Sequence, residues 1–176
     1  MKKTLLILCA LLVTMGMNAQ SKKKSIVVYF SASGTTEEVA KQLADVAGAD
    51  LFEIVPAKKY TSADLNWNDK KSRSTVEMND EKARPQMKEN IKNLAQYEII
   101  YIGFPIWWGV APRIINTFLE ANNLKGKTLV PFATSGGSSI EKATSALKKS
   151  YPNLTWKQGK LLNHPSKSDL QKFIGK

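Results

Sequence analysis

Three short stretches of this chain carry residues whose types and spacing suit ligand chemistry. The first is Ser31-Ala-Ser-Gly-Thr-Thr36, with hydroxyls on Ser31, Ser33, Thr35 and Thr36 around Gly34. Placed before a helix, such a loop offers hydroxyls and unpaired backbone N–H groups, the parts of a phosphate cradle. It contains no lysine or arginine and lacks the Walker lysine, so nucleoside triphosphate hydrolysis is disfavoured. A phosphate monoester held by neutral hydrogen bonds fits better. The second is Pro105-Ile-Trp-Trp-Gly109, where two adjacent indoles could cover a flat aromatic ligand. The third is Thr134-Ser-Gly-Gly-Ser138, which brings backbone N–H groups with almost no side-chain bulk and suits the edge of a planar heterocycle. Each alone has an ordinary reading as a helix cap, core packing or a turn. Together they describe a ligand with one phosphate, one flat ring and a hydrogen-bonding ring edge, a description that FMN meets.

For the three loops to converge, they must leave the same edge of one sheet. Ser25 to Phe30 is a continuous apolar run, the pattern of a strand buried on both faces. After the first loop, Val39, Ala40, Leu43, Ala44 and Ala47 recur at helical spacing, and Gly48 closes that helix. Leu51 to Val55 is a second strand ended by Pro56. Residues 57 to 97 are polar; Thr61 or Ser62 is expected to cap a helix through the 60s and 70s, and Gln86 to Leu94 reads as another short helix. Ile99 to Phe104 is a third strand, followed by the tryptophan loop and a helix that Pro112 can start. Thr128 to Phe132 is the fourth strand, Ile140 to Lys149 a helix, Leu154 to Leu162 the last strand and Ser166 to Ile174 a closing helix. Strands alternating with helices specify an open, doubly wound α/β sheet, in which ligands bind beyond the carboxyl ends of the strands.

The first loop resembles the phosphate loop of flavodoxins. Gly103-Phe-Pro-Ile-Trp-Trp-Gly109 with Thr134-Ser-Gly-Gly137 is similar to the branch of flavodoxin-like proteins common in anaerobic bacteria. The likeness runs in order from about Ser25 to Leu162. It implies a five-stranded parallel sheet of order 2-1-3-4-5 and FMN as cofactor. Under it, Ser31, Ser33, Thr35 and Thr36 would bind the phosphate, with Gly34 letting the backbone approach. Trp107, following Pro105 and Ile106, would stack on the isoalloxazine. The backbone at Trp108 and Gly109 would lie near N5, and Ser135, Gly136 and Gly137, after Thr134, would contact the pyrimidine side. The flavin would do the redox chemistry, so no side-chain acid, base or nucleophile is expected. A one-electron carrier and a two-electron reductase of quinone-like acceptors both stay open. So does a different class, an exported binding module that kept the fold and lost the flavin.

The 176 residues suffice for one domain, and a hydrophobic share of 43% is that of a globular chain. Lys2 and Lys3, the uncharged run Thr4 to Met17 and the small Ala19 form the three-part pattern of a secretory signal over residues 1–19, with the folded domain expected over 25–176. Export to the periplasm is the expectation; a retained anchor is the competitor, and the apolar run is short for a bilayer span. Cys9 is the only cysteine and lies in that leader behind Leu8, which speaks against lipidation. The mature chain is then expected to have no disulfide or thiolate metal site, and the single His164 argues against a multi-histidine one. The net charge is +11, and flavodoxin electron carriers are usually acidic. The lysines are scattered and no nucleic-acid motif appears, so nucleic acid is not an expected partner. A redox partner protein or a small quinone-like acceptor is expected, and the charge is compatible with weak contact to an anionic membrane surface.

Overall fold

The computed structural model describes residues 24–175; the expected leader lies outside them. Strand β1 (Ser25–Tyr29) pairs in parallel with β2 (Asp50–Glu53) on one side and β3 (Ile99–Pro105) on the other. Strand β4 (Thr128–Thr134) follows β3, and β5 (Thr155–Trp156) completes the order β2-β1-β3-β4-β5. The expected last strand forms as two short pieces, β5 and β6 (Lys160–Leu161), both paired with β4. The interruption sits at Gly159, which packs so closely on α4 (Ile140–Ser150) that a Cβ would lie 2.8 Å from the Thr144 methyl.

Alternation along the strands builds two cores. Ile26, Val28, Ile100, Ile102 and Phe104 face α3 (Arg113–Ala121) and α4, where Ile114, Ile115, Phe118, Ala143 and Leu147 complete the cluster. Val27, Tyr29, Tyr101 and Phe132 face α1 (Thr35–Ala47) and α5 (Lys167–Phe173), meeting Val39, Leu43 and Leu170. Each fully buried large side chain contributes roughly 1.5–3 kcal/mol, so both layers hold the strand ends in place. Gly103 has a packing reason as well: the Phe132 ring of the neighbouring strand crosses it, and a Cβ would lie 2.1 Å from the ring.

The passage from β2 to β3 differs from the sequence expectation. Helix α2 (Arg73–Asn79) is short and capped by Ser72, not by Thr61 or Ser62. Ahead of it the chain turns repeatedly, because side chains capture the backbone N–H groups a helix would need. Asn66 Oδ1 accepts from Asn68 N at 3.1 Å and Asp69 Oδ1 from Lys71 N at 2.8 Å. Asn and Asp compete with helix in this way. The stretch from Gln86 to Leu94 is not a helix either. Met87 forms an antiparallel bridge with Pro56, and Lys88 N donates to Val55 O at 2.7 Å, so this stretch runs beside the end of β2. A single 3₁₀ turn, Leu94–Gln96, leads into β3.

Candidate functional site

The carboxyl ends of β1, β3, β4 and β6 open into one crevice with two lobes. The first encloses about 580 Å³ between Ala32, Leu65, Trp67, Ser74 and Trp108. The second encloses about 520 Å³ between Thr35, Thr134, Ser135, Asn163 and His164. Ser33, Pro105, Ile106, Trp107 and Gly136 line both. Either volume lies within the range of small-molecule sites. All three loops singled out in the sequence therefore meet at this crevice.

The first loop ends at the N-terminus of α1, where Gly34 caps the helix at φ 90°. That left-handed backbone favours glycine. Ser31 Oγ accepts from Gly34 N at 3.1 Å and shapes the loop from within. Ser33 and Thr35 are exposed and line the crevice. Thr36 is buried and shares a 2.8 Å hydrogen bond with the buried Thr134 hydroxyl. One proton of that pair is spent between the two oxygens, and the other is left to donate. The first N–H groups of a helix have no intrahelical acceptor, so α1 adds donors to the same spot.

The tryptophan loop is a tight turn. Trp107 N donates to Val110 O and Val110 N to Trp107 O, both at 3.0 Å, closing a two-residue hairpin. Its central residues, Trp108 and Gly109, have φ 48° and 79°. Positive φ at both matches a type I′ turn, where the second position favours glycine. The two indoles consequently have different surroundings. Trp107 is half-buried, edge-on to Phe30 at 5.6 Å and to Tyr60 at 5.4 Å. Trp108 remains 44% exposed at the mouth of the first lobe. Gly109 lies behind the turn, where a Cβ would be 3.2 Å from the Lys142 chain.

In the third loop Ser135 Oγ accepts from Gly137 N at 3.2 Å and Ser138 N at 2.8 Å. The Asn163 amide clamps its backbone, accepting from Ser135 N at 3.0 Å and donating to Ser135 O at 2.7 Å. The Gly137 N–H is thus used inside the loop, and Gly136 faces the crevice.

Five wall residues escaped the sequence reading. Asn163 and His164 follow β6 at the same sheet edge, so the strand-end argument, carried one strand further, would have found them. Leu65, Trp67 and Ser74 come from the segment after β2. Their signal was an indole between two asparagines in an otherwise polar stretch; Trp67 is 73% exposed. A partly buried network ties this segment to the tryptophan loop. Arg73 Nε donates to Glu77 Oε1 at 2.6 Å, the guanidinium lies 4.0 Å from the Tyr60 ring, and Tyr60 donates to Glu77. Burial, and then the Glu77 carboxylate, push the Tyr60 phenol well above its usual range, so it stays a neutral donor behind Trp107.

The sequence profile of flavodoxins matches residues 24–176, and the chain belongs to that family. Among solved structures, a candidate flavoprotein of Bacteroides eggerthii shares 54% identity, with a TM-score of 0.86 over 87% of this chain and 96% of that one. One from Bacteroides uniformis shares 52%, with a TM-score of 0.85 over 88% and 99%. A Lactobacillus acidophilus flavoprotein in complex with FMN shares 22% identity, with a TM-score of 0.68 over 87% and 99%, and so supports the fold. No curated protein matches the chain.

Proposed function

We propose that this chain is an FMN-binding redox protein. The observation that carries the reading is the union, in one crevice, of a neutral hydroxyl and N–H cradle at the α1 N-terminus with a tryptophan-walled lobe. These residues fit the cofactor. Ser33, Thr35, the Thr36–Thr134 pair and the first N–H groups of α1 would hold the phosphate. Trp107, at the junction of the lobes, would cover the ring, with Gly136 approaching its edge. When bound, FMN supplies electron transfer in one- or two-electron steps. The protein's part is to orient the ring, screen it from water and set its potential. The structural relative that carries FMN supports the choice of flavin.

The proposed electron acceptor is a small quinone-like molecule. The exposed indoles of Trp67 and Trp108 offer a planar apolar compound a landing surface at the mouth. Anaerobic mixing of the dithionite-reduced FMN-loaded protein with a naphthoquinone tests this. Saturable reoxidation faster than that of free FMN is expected, and reoxidation no faster than free FMN would remove the reductase reading. Export remains a proposal resting on Lys2, Lys3 and Ala19; the secreted form should begin at Gln20, and N-terminal sequencing that finds Met1 on a membrane fraction would replace export with anchoring.

A further inference from the structure

We propose that Ser74 is a hydrogen-bonding contact to the isoalloxazine ring, delivered by the segment after β2; this rests on the flavin reading above. Ser74 is 2% exposed, and its Oγ has no hydrogen-bond partner among the described residues. Its neighbours differ: the Ser72 and Thr75 hydroxyls bond to each other at 2.8 Å. Interiors rarely keep an unpaired hydroxyl, because burial without a partner is costly. Alanine would fill the same place in α2 without that cost, so the hydroxyl points to a partner from the cavity it lines.

The surroundings say what that partner is. The first lobe is walled by Leu65, Trp67, Ile106 and Trp108, and Ser33 and Ser74 are the hydroxyl-bearing residues among its lining. Ser33 also belongs to the second lobe, beside Thr35 and Thr134. A ligand whose phosphate occupies the cradle therefore extends its ring into the first lobe, where a largely apolar slot with Ser74 away from the cradle suits a flat heterocycle bearing a carbonyl. The hydroxyl can rotate to donate to a ring carbonyl or accept from a ring N–H. Its position is fixed from both sides. Ser74 N donates to Asp64 O at 3.0 Å, and the preceding Arg73 is anchored to Glu77 and to Lys58 O. The segment that reads as a polar elaboration would thus be the second wall of the ring site.

The test compares Ser74→Ala and Ser74→Cys with the unaltered chain, binding FMN and riboflavin by flavin fluorescence. A lost ring contact weakens both ligands by the same factor, about 3- to 10-fold, and moves the absorption bands of the bound flavin. Ser74→Cys, which keeps the bulk and only a weak donor, falls between, and serves alone if Ser74→Ala fails to fold. The melting temperature of the flavin-free Ser74→Ala protein should be unchanged or raised. Unaltered affinity and spectrum in both variants would overturn the assignment, as would a loss confined to FMN, which would make Ser74 a phosphate contact. If the unaltered chain binds neither flavin, the flavin reading itself fails, and with it the role given to Ser74.

Discussion

Replacing Trp107 and Trp108 one at a time separates two roles that the sequence places side by side. Trp107 makes two edge-on ring contacts, at 5.6 Å to Phe30 and 5.4 Å to Tyr60. At about 0.5–1.5 kcal/mol each, Trp107→Ala should cost the flavin-free protein about 1–3 kcal/mol. If the same indole stacks on the flavin, FMN binding should weaken by a further ~1 kcal/mol, roughly fivefold. The potential should also change. An electron-rich ring stacked on the isoalloxazine disfavours added negative charge, so its removal should make the bound flavin easier to reduce. Trp108 is 44% exposed and sits at φ 48°, a backbone strain that alanine shares. Trp108→Ala should therefore leave stability within about 0.5 kcal/mol and move the potential less than Trp107→Ala does. Urea denaturation of the flavin-free variants and spectroelectrochemical titration of the loaded ones give the two readouts. A potential that moves with Trp108 and not with Trp107 would assign stacking to the exposed indole and refute the reasoning. If neither variant alters affinity or potential, the pair is packing only.

The Thr35→Ala, Thr36→Ala double variant should weaken FMN by several orders of magnitude, at about 1.5–3 kcal/mol per hydrogen bond to an anion, and leave riboflavin nearly unaffected; titration of both ligands checks this, and equal losses would move the phosphate elsewhere. Tyr29 is pushed up to about 12 by burial and then by Glu53, and Tyr97 to about 12 by burial and then by its hydrogen bond to Asp50. Both raised values mean that the folded state keeps protons the unfolded chain loses near pH 10. Their stabilisation is complete below about pH 10 and is lost as pH rises toward 12. Melting temperatures should fall across that window, less steeply in Tyr29→Phe, and a flat profile would contradict the assignment.

Much of the frame was legible because its signals are local. β1 and β3 are uninterrupted apolar runs, the mark of strands covered on both faces, and their order with the intervening helices implies the doubly wound sheet. The three loops were legible because strand ends in such sheets share an edge. What stayed hidden depends on contacts between distant residues. The helix expected through the 60s fails because Asn66 and Asp69 bond the backbone locally, and the one expected from Gln86 fails because Met87 finds Pro56. That Thr36 turns inward to Thr134 while Thr35 stays exposed follows from a pairing 98 residues apart. Trp107 and Trp108 look alike in sequence, and only the hairpin turn and the Phe30–Tyr60 shelf distinguish them. The last strand reads as continuous, and Gly159 against Thr144 breaks it.

If the crevice holds FMN, the flavin content of the protein itself reports it. The full chain, expressed with residues 1–19 retained and purified without added cofactor, should be yellow. Denaturation should release FMN at about one per chain, and the stripped protein should rebind FMN with quenching of its fluorescence. A colourless protein that releases no flavin and leaves the fluorescence of added FMN unchanged would contradict the account and leave the exported binding module as the reading that stands.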